Sequence, residues 1–157
     1  MADRIPMTPS GYEKLEAELR QLKTVERRAI SHEIEIARAH GDISENAEFH
    51  AAKEKQSHIE GRIRLIEDKL ARAQVIETGG NPPDTVRFGV TVLLSDDTGE
   101  EVRYTIIGED ESDVAAGRIS VTSPVARALL GKSVGDEITV RVPKGSRSFE
   151  VLNIQFE

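Results

Sequence analysis

Asp42, Glu45 and Glu48 fall within seven residues, at the junction of two long helical patterns. Carboxylate oxygens are hard donors suited to Mg²⁺, which commonly takes only one or two protein ligands and leaves the rest to phosphate and water. Two such groups on an exposed turn are too few to form a tight site alone, but they could complete a site that a partner half provides. In two-metal phosphoryl chemistry the second ion activates a water or steadies the leaving oxygen. Arg38, Lys53 and Lys55 lie close in the sequence, suited to a nucleic acid backbone or simply to a solvated helix face. The acids also have a local explanation. Asp42 and Glu45 have the spacing of a capping box, with Asp42 as N-cap and Glu45 three residues on. Acids in a first turn suit the helix dipole as well. Capping does not require Asn46 and Glu48, and it is compatible with metal work as the resting state of the same side chains.

Other chemistry is poorly supported. Gly131-Lys132-Ser133 resembles the end of a phosphate loop, but that motif needs glycine where Ala126 stands, and a strand before it rather than a helix. His32, His40, His50 and His58 are never three to five residues apart, so no helical face presents a zinc-binding pair. The stretch HEIEI at 32–36 has Ile36 where a zinc protease needs its second histidine. His40 and His50 flank the acidic turn. No serine sits in a nucleophile elbow, and there are no cysteines, which excludes thiolate sites and disulfides. The chain is expected not to be an enzyme that completes chemistry alone.

The elements around the acids read as two legs. Thr8 and Pro9 suit an N-cap and a first helical position. Tyr12, Leu15, Leu19 and Leu22 then form a heptad-like stripe, with a looser phase through Val25, Ala29 and Ile36. This predicts one helix of about 29 residues, roughly 43 Å long, ended at Gly41 by a left-handed cap. The second stripe is unbroken: Phe49, Ala52, Gln56, Ile59, Ile63, Ile66, Leu70 and Ala73. Two long helices joined by so short a turn run antiparallel. Residues 1–76 are therefore expected to form a coiled-coil hairpin with its acidic tip at 41–48.

The run TGGNPP at 78–83 breaks the pattern, and 77–84 reads as a linker. From 85 to 157 the period changes to two. Strands are expected at 90–94, 102–107, 119–121, 137–142 and 148–154, with a short helix at 125–130 capped by Ser123 and Pro124. The fold class is α+β, a helical hairpin followed by a small antiparallel-sheet domain with one short helix.

Charged residues make up 31% of the 157 and aromatics 4%, which favours solvated helices over one large aromatic core. Residues 1–76 carry 13 basic and 14 acidic side chains, whereas 77–157 carry 8 and 14. Such a chain has no general attraction to nucleic acid phosphates, so a link to DNA or RNA is expected to run through a partner protein. No signal-like or membrane-length apolar run is present, and a soluble cytoplasmic protein is expected.

The stretch GDISENAEFHAAK at 41–53 closely resembles the tip of the Gre family of bacterial transcript cleavage factors. The similarity continues through EGRI at 60–63 and AQVI at 73–76, returns in ISVTSPVARALLGK at 119–132 and ends with FEVLNI at 149–154. The resemblance implies an N-terminal coiled coil, an FKBP-like C-terminal domain and RNA polymerase as partner, with the coiled coil entering the secondary channel. Asp42 and Glu45 would then help hold the second catalytic Mg²⁺ of the polymerase, shared only in the complex, with no cofactor bound tightly by the free protein. Ser44 and Asn46 would support the tip. Arg38 and Lys53 would correspond to a basic patch touching the backtracked RNA 3′ segment, which the polymerase hydrolyses so that elongation resumes. Lys53 stands where relatives often carry arginine, and lysine offers a point charge rather than a bidentate fork. Ser123 and Pro124 match the segment that docks on the polymerase. No prolyl isomerase activity follows from the fold. The free protein is expected to be monomeric. The competing readings are a channel-binding inhibitor without cleavage activity and a structural adaptor that binds a partner helix.

Overall fold

The computed structural model describes residues 3–42 and 45–157. The first leg starts as its residue types dictate. The Thr8 hydroxyl accepts from the Gly11 N–H at 3.1 Å, and Pro9 opens helix α1 (Pro9–Gln21) where no N–H is needed. A π-helical turn (Leu22–Glu26) follows, and then α2 (Arg27–Arg38). The second leg is a single helix, α3 (Ala47–Arg72).

The seam of α3 is the expected one, with Phe49, Ala52, Ile59, Ile63 and Ile66 buried. The first leg differs beyond Leu22. Its buried positions are Ile30, Ile34 and Ala37, whereas Val25 and Ile36, expected in the seam, are 48% and 47% exposed. Leu15 to Leu22 is one heptad, but Leu22 to Ile30 is one residue longer. The π turn absorbs that residue: the Arg27 N–H bonds to the Leu22 carbonyl, five residues back. The Thr24 hydroxyl donates to the Arg20 carbonyl at 2.7 Å, giving that oxygen a partner within the turn. Ion pairs join the two legs along the seam: Arg62–Glu18 at 2.6 Å, Lys23–Glu67 at 3.1 Å, Arg27–Glu60 at 2.8 Å and Lys55–Glu33 at 3.6 Å.

The chain separates into two units, one built on Tyr12–Ala73 and one on Arg4–Gly11 together with Gln74–Glu157. The expected division at 1–76, 77–84 and 85–157 placed the N-terminal segment with the hairpin; the contacts group it with the sheet. Strand β1 (Ile5–Met7) pairs with β2 (Ala73–Val75). Glu111 accepts from the N–H groups of Thr8 at 3.0 Å and Gly108 at 3.2 Å, and from the Thr8 hydroxyl. A Cβ at Gly11 would meet the Glu111 carboxyl carbon at 2.4 Å, so glycine lets this carboxylate approach.

The main sheet has the order β5-β4-β3-β7-β6, from β3 (Val90–Asp96), β4 (Glu101–Ile107), β5 (Arg118–Ser120), β6 (Glu137–Val142) and β7 (Gly145–Phe156). Its pairings are antiparallel except β4 with β5, which is parallel. Alternate side chains of β3 are buried, in keeping with a strand packed through one face. They join Ile106, Val140, Phe149 and Val151, with Ala126 and Leu129 of α4 (Pro124–Leu129), in one apolar cluster. Among the described residues no helix is long and apolar enough to cross a membrane.

Candidate functional site at the hairpin tip

The tip begins where α2 runs out. The His40 N–H bonds to the Ala37 carbonyl at 3.2 Å, and Gly41 takes φ +126°. Among the described residues nothing lies within 4 Å of where its Cβ would be. The backbone conformation, not crowding, is what requires glycine here.

The start of α3 corrects the expected capping box. The N-cap is Asn46, with φ −91° and ψ 93°, and its side-chain oxygen accepts from the Phe49 N–H at 3.0 Å. Asp42 lies four residues upstream, where its carbonyl faces the Glu45 N–H at 3.4 Å. Glu45 therefore precedes the helix instead of occupying its third position. Glu48 takes the first-turn place that favours an acid. The sequence carries a signal for this outcome: Asn46 stands three residues before Phe49, the first seam residue.

Asp42 and Glu45 are both exposed. They share an open concavity of about 440 Å³ with His40, Asn46, Ala47 and Glu48. The Glu48 carboxylate lies 3.5 Å from His40 Nδ1 across the turn, a contact that sequence reasoning did not anticipate. Ser44, expected to support the tip, lies outside the described residues. Among the described residues no three acid or histidine side chains gather as a metal ligand set. The carboxylates of Asp42 and Glu45 carry oxygens of the hard type that Mg²⁺ prefers.

The two basic residues make separate contacts. The Arg38 guanidinium lies 5.7 Å from the centroid of the Phe49 ring, which is buried in the seam. Lys53 donates to Gln56 Oε1 at 3.1 Å further along α3. Both cations are exposed. In the other unit, the Ser123 hydroxyl accepts from the Ala126 N–H at 3.3 Å and caps α4, while Pro124 is exposed at the head of that helix.

Asn46 also reaches backwards. Its side-chain nitrogen donates to the Ala37 carbonyl at the end of α2. One amide thus touches both legs of the hairpin, a role its position in the sequence does not advertise.

Two family models match the chain. The one described as transcription elongation factor, N-terminal, covers residues 5–75. The one described as transcription elongation factor, GreA/GreB, C-term, covers residues 81–156. The chain is similar to the transcription elongation factor GreA of Hyphomonas neptunium, 56% identical over 156 residues and covering 99% of each chain. It is 53% identical over 158 residues to GreA of Rickettsia felis, covering 100% of this chain and 98% of that one. Among solved structures it resembles Thermus aquaticus Gfh1, with 31% identity, 98% and 99% coverage and a TM-score of 0.45. It also resembles a GreA/GreB factor of Nitrosomonas europaea, with 24% identity, 99% and 100% coverage and a TM-score of 0.44.

Proposed function

The chain belongs to the GreA/GreB family of transcription elongation factors, and from that premise we propose that it acts on RNA polymerase by completing a metal site with the acids of its hairpin tip. The observation that carries the reading is the placement of Asp42 and Glu45, two exposed carboxylates in one concavity at the turn of a long helical hairpin. The hairpin enters the secondary channel of the polymerase. Asp42 and Glu45 add oxygen ligands to a second Mg²⁺ in the polymerase active centre, and that ion supplies the activation of water for phosphodiester hydrolysis. The hydrolysis is the polymerase's own, acting on backtracked RNA, after which elongation resumes from the new 3′ end. Arg38 and Lys53 present exposed positive charge beside the tip, suited to the backbone of the extruded RNA. The sheet unit docks on the polymerase around Pro124, with Ser123 holding α4 in place beneath it. The protein works as a monomer in the cytoplasm, where bacterial polymerase is found.

The test is Asp42→Asn combined with Glu45→Gln, assayed on a stalled, backtracked complex. Both replacements keep the shape of the side chain and remove the charge. Stimulated cleavage is expected to fall by about 10²–10³, the scale seen when a group that stabilises developing charge is removed. Binding to polymerase, measured by competition, should be unchanged. Cleavage at the wild-type rate would overturn the metal-completing role.

A further inference from the structure

We propose that Asn46 positions Asp42 and Glu45 through both ends of its amide, and that the end donating to Ala37 is the one that matters for function; this rests on the metal-completing role of the two acids. The orientation of the amide follows from its partners. The oxygen meets a donor, the Phe49 N–H at 3.0 Å, and the nitrogen meets an acceptor, the Ala37 carbonyl. Turned over, the group would set donor against donor and acceptor against acceptor. Ala37 is only 4% exposed and Asn46 is half-buried, so water is a poor substitute for either bond.

The two bonds have different consequences. The bond to Phe49 caps α3 and concerns that helix alone. The bond to Ala37 joins the last turn of α2 to the first residue before α3. It closes the chain between residues 37 and 46 into a ring, and Asp42 and Glu45 both lie inside that ring. Closing a short loop removes much of its conformational freedom. A loop held at both feet presents its acids to a metal with less ordering left to do on binding.

Residue chemistry separates capping from clasping. Aspartate and serine are N-caps as good as asparagine, so a residue that only caps can be exchanged for either. Aspartate, the isostere, has no donor for the Ala37 carbonyl. Serine is too short to bridge two partners on opposite legs. Asparagine alone among good N-caps of this length offers both an acceptor and two donors.

The experiment uses the full chain as Asn46→Asp and Asn46→Ser beside the wild type. It measures stimulated cleavage of a backtracked complex across a Mg²⁺ titration, polymerase binding by competition, and helix content by circular dichroism. Both variants should keep wild-type helix content and binding, and should need about tenfold more Mg²⁺ for half-maximal cleavage, the lower end of the range for a lost group that orients metal ligands. Wild-type Mg²⁺ dependence in both variants overturns the proposal and leaves Asn46 a cap. A defect in Asn46→Asp alone overturns it too, because added negative charge then explains the effect. A wild-type protein that binds but stimulates no cleavage overturns the functional reading itself, which the variants matching an active wild type would not.

Discussion

The two legs of the hairpin face each other along one seam, yet they reach it by different routes. The second leg is one uninterrupted helix whose seam positions repeat every three and four residues from Phe49 to Ile66, all apolar except Gln56. The first leg carries one residue too many between Leu22 and Ile30, and a π turn takes it up. A single extra residue in a continuous α-helix would rotate everything beyond it by about 100°, moving Ile30, Ile34 and Ala37 off the seam. The π turn restores the facing by widening one turn of backbone, with none of its own residues buried. A seam can therefore remain continuous in space where it is discontinuous in sequence. The cost is confined to one short turn.

That difference can be broken by substitution on the first leg. Ile30, 1% exposed, is expected to cost about 2–5 kcal/mol when truncated to alanine. Val25→Ala should stay within about 0.5 kcal/mol, because Val25 is 48% exposed. A regular heptad continued from Leu22 would predict the reverse, with Val25 in the seam. Urea denaturation of the two variants, read at constant m-value, decides between them. A large loss at Val25 would mean that the π turn is not the state populated in solution.

Deleting Thr24 sharpens the comparison with a smaller effect of opposite sign. The deletion brings Leu22 and Ile30 to heptad spacing and lets both legs run as regular helices. The expected result is a gain of about 0.5–2 kcal/mol, the range common for single stabilising changes that keep the fold. Stimulated cleavage should be retained, since the seam on both sides of the deletion keeps its facing. A less stable deletion variant would show that the π turn contributes contacts of its own.

What could be read from the chain follows the same division. The α3 seam, the Thr8 cap, the Ser123 cap and the alternation of β3 are local patterns, each decided by residues a few positions apart. The π turn is not local in this sense. Its residues, LKTVE at 22–26, are ordinary helix formers, and only the spacing of apolar residues on either side of them betrays it. The N-cap of α3 was a contest between Asp42 and Asn46, two good capping residues four positions apart. The spacing of Asn46 from Phe49 favours Asn46, whereas its second bond, to the Ala37 carbonyl on the other leg, is encoded by no local pattern. The pairing of β1 with β2 and the bonds from Thr8 to Glu111 join residues far apart in the chain. They were invisible for the same reason. The acids of the tip were legible as chemistry from their types and spacing, and both are exposed.

The smallest expected effect concerns pH, and it samples both sides of the π turn. Glu18 is held below the ordinary glutamate range mainly by its hydrogen bonds from Arg62, with the charges of Arg62 and Lys69 adding to this and burial opposing it. Beyond the turn, Glu60 is lowered mainly by its hydrogen bonds from Arg27, with burial opposing and the charges of Arg27 and Arg64 assisting. A carboxylate whose folded pKa is depressed stabilises the fold above its unfolded value and loses that contribution as pH falls through the folded one. The unfolded value is near 4.5 for both groups. Thermal stability should thus be unaffected by these pairs between pH 7 and about 5.5 and should decline below about 4.5. Glu18→Gln with Glu60→Gln should show a flatter decline over the same window. Because both pairs are solvent-accessible, the gap between the two curves should be small and should close at about 1 M salt, where charges are screened within about 3 Å. A gap that persists at high salt would assign the stabilisation to hydrogen-bond geometry across the legs rather than to charge.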